Sequence, residues 1–357
     1  MKKHKIVLLS GDGIGPEISK VSKEILYRLS EKFKFDLEIN EKLFGGIAYE
    51  EFNDPAPKVT LDECKSCDAV LLACVGDSKF DNLPREQKPE YGLLKLRSEL
   101  NLFANIRPVK IRKSLINSSS LKKDVIKNVD LVVVRELTSG IYFGEPRGII
   151  KNKKEERAFN TMVYTSSEIE RITDVAIQIS KKRARKICSV DKANVLEVSQ
   201  LWRKTVQNTI NKIEDISLSH MYVDNAAMQL IRNPSQFDVI LTNNIFGDIL
   251  SDLSAMLTGS IGMLPSASLS NVGPGVFEPV HGSAPDIAGK NIANPIAMAL
   301  STSMLLKVGL NELAASENLE SAIDNVLLKG YRTSDLDDGQ CEILTCSEMG
   351  QKIIDEI

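Results

Sequence analysis

Short apolar runs alternate with longer amphipathic segments along most of this chain. The short runs are typical of buried strands, and the longer segments repeat their apolar residues with the period of a helix. Strands that alternate with helices predict an α/β fold with a substantial parallel sheet. The predicted strands span residues 5–9, 69–73, 129–135, 187–190, 218–223 and 237–242. The predicted helices span residues 16–33, 90–100, 166–182, 196–210, 295–307, 312–329 and 347–356.

Two stretches interrupt this alternation. Residues 139–165 are rich in glycine, proline and charge, which predicts either a loop or a protruding β-arm. Residues 263–283 contain Gly273-Pro274-Gly275 and Pro279, so we expect them to be irregular.

The segment NNIFGDILSD, residues 243–252, opens a helix whose apolar face is formed by Ile245, Ile249, Leu250 and Leu253. Asp248 and Asp252 are one turn apart on that helix, where like charges about 5–6 Å apart repel mildly. Asp248 is explained by its position in the first turn, but Asp252 is beyond the reach of the helix dipole. The pair indicates either a solvated face or a bound cation, and the stretch alone favours the first.

Composition and charge narrow the class of protein. A chain of 357 residues suggests two domains, and a net charge of −3 argues against a role in binding nucleic acid or a membrane surface. The basic run at residues 181–186 is typical of a solvated helix end. No export signal is evident and no apolar run is long enough to span a membrane. We therefore expect a cytoplasmic protein whose six cysteines, including the isolated Cys64-Lys-Ser-Cys67 pair, are free thiols.

Two glycine-rich motifs are candidates for ligand binding. GDGIGPE, residues 11–17, follows a strand and opens a helix, but Pro16 stands where a dinucleotide fingerprint needs glycine. EPVHGSAPDIAGKNIANP, residues 278–295, offers backbone N–H groups for phosphate and polar side chains for a ribose or an adenine. Taken alone, the second motif is more typical of an ordinary loop before a helix than of a ligand site.

Several charged side chains fall at the ends of predicted elements. Arg97, Arg107 and Arg135 are of the type that binds carboxylates bidentately, which hints at an acidic substrate. Lys192 and Asp224 each follow a strand, and ligands of parallel sheets bind beyond the carboxyl ends of strands. Asp224 would complete an oxygen-rich magnesium or manganese site with the two aspartates of residues 243–252.

These motifs occur together in one known family. The sequence resembles the isopropylmalate dehydrogenases, members of the isocitrate/isopropylmalate dehydrogenase family of β-decarboxylating enzymes. The resemblance runs nearly end to end and is carried by GDGIGPE, LRSELNLFANIRP, RELTSGIYFGEPRG, VDKANVLEVSQLWR, VDNAAMQLIRNPSQFDVILTNNIFGDILSDLSAMLTGSIGMLPSAS and FEPVHGSAPDIAGKNIANP.

The fold that this resemblance implies is a two-domain α/β fold, distinct from the Rossmann fold, with an active-site cleft between the domains. Residues 1–102 and 259–357 would form a discontinuous first domain on the cofactor side. Residues 103–258 would form the second, with the dimer interface and a β-arm at about residues 139–165.

The implied reaction is oxidation of the 3-isopropylmalate hydroxyl by NAD, followed by loss of CO2 to give 4-methyl-2-oxopentanoate, a step of leucine biosynthesis. The resemblance makes Asp248, Asp252 and Asp224 of the partner subunit the ligands of Mg²⁺ or Mn²⁺. It makes Lys192, from the partner subunit, the general base, and Tyr142 the acid that protonates the enolate. Such shared sites imply a homodimer.

The same resemblance assigns the remaining site residues. Arg97, Arg107, Arg135 and Asp224 would contact the substrate, and Leu93, beside Leu94, would face its isopropyl group. An isocitrate enzyme must pair a carboxylate there instead, which is costly beside leucine. The residues expected to bind the cofactor are Gly76, Glu90, Glu278, His281, Gly282, Ser283, Ala284, Asp286, Ile287 and Asn294.

Asp286, next to Ile287, would accept hydrogen bonds from the adenosine ribose and repel a 2′-phosphate, so NAD should be preferred to NADP. Three positions depart from the family pattern: Asp77 stands where glycine is usual, Tyr91 replaces a small polar residue, and Ser139 replaces glycine.

Two rival interpretations stay open. The first is a related enzyme that acts on isocitrate, homoisocitrate or tartrate, against which Leu93 and Leu94 argue. The second is a regulatory subunit without catalytic activity, which should lack a metal ligand or the base. This sequence retains all of these residues.

Overall fold

A computed structural model describes residues 2–357 and divides into two compact units. The first unit comprises Met1–Leu102, Ile111–Lys123 and Ala255–Ile357, and the second comprises Phe103–Lys110 and Asp124–Ser254. Residues 111–123 and 255–258, which the sequence-based division places in the second domain, lie in the first unit.

Strands and helices alternate along the described residues. The strands are β1 (Lys3–Gly11), β2 (Asp36–Glu41), β3 (Ala69–Cys74), β4 (Ala104–Lys110), β5 (Asp130–Glu136), β6 (Gly148–Lys151), β7 (Glu156–Phe159), β8 (Lys186–Asp191), β9 (Ser217–Tyr222), β10 (Val239–Thr242), β11 (Pro265–Leu269), β12 (Gly275–Pro279), β13 (Tyr331–Arg332) and β14 (Glu342–Ile343). The helices are α1 (Gly15–Phe33), α2 (Gly46–Phe52), α3 (Lys58–Lys65), α4 (Pro89–Glu99), α5 (Lys123–Ile126), α6 (Ser166–Lys181), α7 (Glu197–Ile210), α8 (Val223–Arg232), α9 (Asn244–Ala255), α10 (Ile296–Met304), α11 (Leu313–Leu328) and α12 (Cys346–Glu356).

In the first unit, five strands lie side by side in the order β2-β1-β3-β12-β11. The first four are parallel, and β11 is antiparallel to β12. Every residue of β3, AVLLAC, is buried, as expected for a strand covered by helices on both faces. Helices α1, α10, α11 and α12 pack against one another. The carboxyl ends of β1 and β3 carry the two loops that contain Asp12 and Gly76.

In the second unit, the strand order is β4-β5-β10-β8-β9. β4 is antiparallel to β5, with Ile106 opposite Val134, and the other pairs are parallel. Helix α9 starts two residues after the end of β10, so its first turn lies at the carboxyl edge of this unit's parallel strands. That edge is where ligands of parallel sheets bind.

Residues 139–165 contain a two-stranded antiparallel hairpin. β6 pairs with β7 so that Gly148 faces Phe159 and Lys151 faces Glu156. Both strands are almost entirely exposed, and Ile149 and Ile150 are among the exposed side chains. Of the two predicted forms, loop or β-arm, the chain adopts the second.

The expectation of an irregular segment at residues 263–283 is wrong in part. β11 and β12 lie within it, are almost wholly buried and pair with each other, and β12 also pairs with β3. The sequences PSASL and GVFEP contain proline and small residues, and only their neighbours in the sheet make them strands. β2 and β4 were likewise not predicted, because DLEINE and ANIRPVK lack an apolar run.

The described residues include no helix that is both long enough and apolar enough to cross a bilayer. The cysteines are free thiols, as predicted. Burial raises the pKa of Cys64 to about 12 and that of Cys67 to about 11, so neither thiol in this CxxC pair ionises readily.

Candidate active site

Helix α9 begins at Asn244, so Asp248 lies beyond its first turn, which corrects the expectation that the helix start accounts for this aspartate. The Asn243 side chain accepts a hydrogen bond from the Phe246 N–H at 2.9 Å, which is the bonding pattern of an N-cap residue. Asp248 and Asp252 follow on consecutive turns of α9. The cap therefore fixes the start of the helix that presents both carboxylates.

The apolar face of α9 is narrower than expected. Leu250 is fully buried and Ile245 and Leu253 are partly buried, but Ile249 is 58% exposed. Ile249 adjoins Leu250 in sequence and lies 100° around the helix from it, so both cannot face the same core. The prediction that Ile249 belongs to the buried face is wrong within this single chain.

Arg135 lies at the end of β5, is 2% exposed and forms an ion pair with Asp248. One of its terminal nitrogens lies 2.5 Å from Asp248 Oδ1, and two other nitrogens donate to Asn244 Oδ1 at 3.0 and 2.7 Å. A Cβ atom on Gly247 would lie 2.6 Å from Arg135 Cγ. The glycine in NNIFGDILSD is therefore required by the close approach of the arginine.

Arg107 holds the second aspartate. It donates to Asp252 Oδ1 at 3.1 Å and to Ser251 Oγ at 2.7 Å, and its other end donates to Asn105 Oδ1 at 2.7 Å. It also lies 3.8 Å from Asp248. Arg107 lies in the middle of β4, which corrects the expectation that it ends an element.

Tyr142 ends a short 3₁₀ turn, Gly140–Tyr142, and its hydroxyl donates to Asp248 Oδ2 at 2.8 Å. Burial, together with the charge of Asp248, raises the pKa of Tyr142 to about 12. The phenol therefore keeps its proton at neutral pH. It lies beside Asp248, where a proton donor is possible.

The two aspartates form a donor set suited to a hard cation. Partial burial raises the pKa of Asp252, Arg107 opposes this effect, and the charge of Asp248 adds to it. The Asp252 side chain is 54% exposed, so its carboxylate remains accessible to an incoming ion. Carboxylate oxygens one helical turn apart fit Mg²⁺ or Mn²⁺, and a cation would relieve their mutual repulsion.

Lys192 and Asp224 form a separate pair in the same unit. Lys192 follows the end of β8, Asp224 lies in the first turn of α8, and their charged atoms are 2.6 Å apart. This hydrogen bond lowers the pKa of Asp224. Asp191, 1% exposed, accepts two bonds from Arg203 and one from the Ala193 N–H, which fixes the turn that carries the lysine.

The Asp224 carboxylate forms an ion pair with Lys192. In the part of the chain that the structure describes, the carboxylates of Asp224, Asp248 and Asp252 do not form one cluster. The predicted three-aspartate site is thus assembled only in part by a single subunit, and the third ligand stays a prediction.

In the first unit, Arg97 is buried in the last turn of α4 and donates to Glu278 Oε1 at 3.0 Å. Glu278, expected to contact the cofactor, thus directly positions a predicted substrate arginine. The Nε atom of Arg97 is buried and has no partner in the described part of the chain. Leu93, on the same helix, is half-buried.

Gly76 lies in the loop after β3 with φ of +108°, and a Cβ atom there would lie 2.7 Å from a Glu90 carboxylate oxygen. The Gly76 N–H donates to Asp12 at 2.8 Å. Asp12 also accepts from the N–H groups of Gly46 and Ile47 at 2.8 and 2.9 Å. Through Asp12, the first glycine-rich motif therefore joins the start of α2 at Gly46 to the loop that carries Gly76.

The second glycine-rich motif lines a pocket of about 410 Å³ in the first unit. Five predicted cofactor residues line it: His281, Gly282, Ala284, Ile287 and Asn294. Further lining residues that sequence reasoning missed are Ile14, Ser260, Ile261, Gly262, Ile292, Ala293, Ser334 and Asp335. Ile14, Ile292 and Ala293 lie within the two glycine-rich motifs, whereas the other lining residues lie in two further segments that carry no sequence signal.

The pocket has fixed polar groups on its walls. The Asn294 amide donates to Asp335 at 3.0 Å, and Ser260 also donates to Asp335. The Nε2 atom of His281 is buried without a partner among the residues described, and burial lowers the pKa of this histidine. A neutral imidazole nitrogen and a carboxylate suit the uncharged, hydrogen-bonding surface of a nucleoside.

Two predicted cofactor residues lie beside this pocket and are not part of its lining. Ser283 donates to the Gly76 carbonyl at 2.5 Å, and its own carbonyl accepts from the Ile14 N–H at 2.8 Å. Asp286 is exposed next to the lining residue Ile287. Ser283 thus joins the two glycine-rich loops, and the exposed Asp286 is accessible beside the pocket.

At the three positions that depart from the family pattern, each side chain interacts with a nearby residue. Asp77 accepts a hydrogen bond from the Lys79 N–H at 3.0 Å and so caps a 3₁₀ turn. The Arg85 guanidinium lies 5.3 Å from the centre of the Tyr91 ring. Ser139, extended with φ of −132°, donates to Glu168 at 2.5 Å. None of these side chains disrupts its surroundings.

Carboxylates suited to a cation in the second unit and a nucleoside-sized pocket in the first are features expected of a dehydrogenase that acts on an acidic substrate. A profile of the Isocitrate/isopropylmalate dehydrogenase family matches residues 5–353. The chain belongs to this family.

The chain is similar to several curated and solved members. It is 73% identical over its whole length, and that of the relative, to a 3-isopropylmalate dehydrogenase of Prochlorococcus marinus subsp. pastoris. It is 57% identical over 99% of both chains to one of Synechococcus sp. strain CC9605. Among solved structures, an isocitrate dehydrogenase from Methylococcus capsulatus matches with a TM-score of 0.88, at 32% identity and 99% coverage of both chains.

Proposed function

We propose that this chain catalyses the oxidative decarboxylation of 3-isopropylmalate to 4-methyl-2-oxopentanoate and CO2, with reduction of NAD, in leucine biosynthesis. The observation that carries the proposal is the Asp248–Asp252 pair, held by Arg107 and Arg135 and touched by the Tyr142 hydroxyl. Full-length relatives at 57–73% identity that are named 3-isopropylmalate dehydrogenase support the choice of substrate.

Asp248, Asp252 and the partner subunit's Asp224 would hold the divalent cation. When bound, the cation supplies Lewis-acid polarisation of the substrate oxygen. The pocket lined by Asn294 and His281 would hold the adenosine of NAD. Exposed Asp286 favours ribose hydroxyls over a 2′-phosphate, so we propose NAD as the cofactor.

The chain's own residues would divide the remaining work. Arg97, Arg107 and Arg135 would bind substrate carboxylates and fix their orientation. Lys192 would remove the proton from the substrate hydroxyl. Tyr142, protonated at neutral pH, would return a proton to the enolate carbon after CO2 leaves.

We propose a homodimer whose active sites each combine residues of both subunits. The second unit exposes large apolar side chains on several elements, among them Val195, Leu201, Met228, Ile231 and Ile249. Met228 and Ile231 lie on α8, three residues apart and therefore on one face. Exposed apolar side chains gathered on consecutive helices are typical of an interface between subunits.

A related enzyme that acts on isocitrate is the second candidate, because the solved isocitrate dehydrogenase shares the fold at a TM-score of 0.88. Leu93, half-buried on the helix that leads to Arg97, favours an apolar substituent on the substrate. The first interpretation is therefore preferred.

The reaction is tested by product analysis. The wild-type protein, incubated with 3-isopropylmalate, NAD and Mg²⁺, should form NADH and 4-methyl-2-oxopentanoate in equal amounts, measured by absorbance and mass spectrometry. Asp252→Asn should lose at least about a hundredfold in kcat/KM, since even indirect changes at metal sites cost 10–100-fold.

Asp174→Asn, which alters an exposed aspartate on α6 in the same unit, is the matched control and should retain full activity. Equal activity of the two variants would contradict the role of Asp252. NADH formation without release of CO2 would contradict the decarboxylation step.

A further inference from the structure

Asn244, the first residue of α9, is 1% exposed and uses every polar atom of its side chain. Its Oδ1 accepts two hydrogen bonds from Arg135, at 3.0 and 2.7 Å. Its Nδ2 donates to the carbonyls of Leu137 and Ser139, each at 3.1 Å. Since one side of the amide meets only donors and the other only acceptors, its orientation is fixed.

These four bonds join three parts of the candidate active site. Arg135, held by Asn244, contacts Asp248. Ser139 immediately precedes the Gly140–Tyr142 turn, whose last residue also contacts Asp248. Asn244 itself begins the helix that carries the aspartate. A shift of this one amide would therefore move the arginine, the tyrosine turn and the helix start together.

Tyr164 fixes the backbone of the same residue. Its hydroxyl accepts the Asn244 N–H at 2.9 Å and also hydrogen bonds to Glu136. The ring is 6% exposed and packs edge-on against Trp202, with centroids 5.6 Å apart. One phenol thus satisfies the first N–H of α9, a group that the helix itself cannot satisfy.

Glu136 determines which way the phenol points. It is fully buried and accepts from the Thr138 N–H, the Thr138 hydroxyl and the Ser139 N–H at 2.9 to 3.0 Å. Burial raises the pKa of Glu136, whereas its hydrogen bonds to Thr138 and Ser139 favour the charged form. In that form the carboxylate can only accept, and the Tyr164 proton then points towards Glu136. The lone pairs of the phenol oxygen are then left for Asn244.

We propose that Asn244 is a positioning residue for the reaction, and that Tyr164 and Glu136 hold it in place. The inference rests on the proposed function for the roles of Arg135, Tyr142 and Asp248, and adds the group that sets their mutual geometry. Asn244 and Tyr164 themselves contact neither the substrate nor the cation in this account. They act through the arginine and through the helix.

The test compares two variants with the wild-type protein. Tyr164→Phe keeps the ring and removes the hydroxyl, and Asn244→Ser removes all four side-chain bonds of the amide. Each full-length protein is titrated with Mn²⁺ alone, followed by electron paramagnetic resonance, and assayed for KM and kcat. We expect Tyr164→Phe to weaken Mn²⁺ binding about tenfold and to raise KM for 3-isopropylmalate, with a larger effect for Asn244→Ser.

Thr173→Val is the matched control. Thr173 is fully buried in the same unit and donates to the Ile169 carbonyl at 2.6 Å, away from the site. It should lower the melting temperature without changing Mn²⁺ affinity or KM. A purely structural role for Tyr164 and Asn244 would give the same pattern in their variants, and that result would overturn the inference.

The outcomes separate the two proposals. A wild-type protein that binds Mn²⁺ but does not oxidise 3-isopropylmalate would contradict the proposed function. The order of Mn²⁺ affinities among the wild type, Tyr164→Phe and Asn244→Ser would still decide the inference. If the wild-type enzyme is active and Tyr164→Phe has the same Mn²⁺ affinity and KM as Thr173→Val, the inference is overturned and the proposed function stands. A wild-type protein that neither binds Mn²⁺ nor turns over substrate would overturn both.

Discussion

Asp248 accepts from groups on two different elements of the second unit. Its Oδ1 faces Arg135 from β5, and its Oδ2 accepts from Tyr142 in the following turn. A shift of either Arg135 or Tyr142 would therefore move this carboxylate. Substitutions around it should act on turnover more than on folding.

The hydroxyl of Tyr142 can be removed without removing its ring. Tyr142→Phe should lower kcat by about 10²- to 10⁴-fold, the usual range for the loss of a general acid, with a small change in KM. Steady-state kinetics with 3-isopropylmalate measure this. Tyr27→Phe, on the exposed face of α1, is the control, and comparable activity of both variants would contradict the acid role.

We expect His281 to make the free energy of unfolding depend on pH. Burial lowers its pKa in the folded protein, whereas the unfolded chain binds the proton near the ordinary pKa of about 6.5. Below that pH the unfolded state takes up more protons, so the free energy of unfolding should fall as the pH drops from 7 to 5.

His281→Gln should remove part of this slope in urea unfolding measured across that pH range. A variant with the same slope as the wild type would show that other groups account for the acid sensitivity. The half-buried His220, whose pKa is also lowered by burial, contributes a similar slope in both proteins.

The sequence predicts the role of some site residues but not of others. The resemblance identified Asp248, Arg135 and Tyr142 because they lie in distinctive motifs, and the structure brings the three together. Asn244 lies in the same motif but was missed, because an asparagine at a helix start is normally explained as a cap. Asp12 was missed because its partners are backbone N–H groups on distant loops, which a sequence does not display.

At the scale of elements, α9 depends on a glycine to approach β5. Gly247→Ala would place a methyl group 2.6 Å from Arg135 Cγ, so either the helix or the arginine must shift. We expect a destabilisation of about 1–3 kcal/mol, typical of overpacking. Activity should fall more than stability accounts for, as measured by thermal unfolding and by kcat/KM.

Gly282→Ala is the control for this change, because a Cβ atom there meets nothing within 4 Å. It should leave the melting temperature unchanged. An unchanged melting temperature for Gly247→Ala as well would show that β5 and α9 have room to separate.

Helices and strands that carry a capping motif or an apolar pattern in their own sequence were predicted well. Strands that form only through pairing with distant segments were missed. The start of α6 at Ser166 agrees with the prediction because Thr165 and Glu168 form a capping box that the sequence shows directly. β11 and β12 were missed because proline and small residues become strands there only through pairing with each other and with β3. Tertiary pairing of this kind has no local signature.

At the scale of the whole molecule, the proposed dimer explains exposed apolar surface. Met228 is 61% exposed on α8, the helix that also carries Asp224. Met228→Glu would place a charge in the proposed interface, where desolvation is costly. We expect a monomer by analytical ultracentrifugation and loss of most activity, since Lys192 and Asp224 would then lack their partner site.

Val272→Glu is the control, because Val272 is 86% exposed in the first unit, outside the proposed interface. It should remain a dimer with full activity. A fully active Met228→Glu monomer would contradict the shared site.

The α/β class followed from periodicity, whereas the specific fold followed only from the resemblance. Alternating strands and helices predict parallel sheets but not their strand order, and neither β2-β1-β3-β12-β11 nor β4-β5-β10-β8-β9 could be derived from spacing. The chain crosses from one unit to the other several times, as with residues 103–110 between two segments of the first unit. No composition change marks these crossings.

The central claim is that this family member oxidises 3-isopropylmalate with NAD. The most direct test follows NADH or NADPH formation at 340 nm with 3-isopropylmalate or isocitrate, each with NAD or NADP and Mg²⁺. The account predicts that kcat/KM is highest for 3-isopropylmalate with NAD, by at least about a hundredfold over isocitrate with NAD, since a carboxylate beside Leu93 must be left unpaired. Equal or faster turnover of isocitrate, or none with any of these acids by a folded protein, would contradict it.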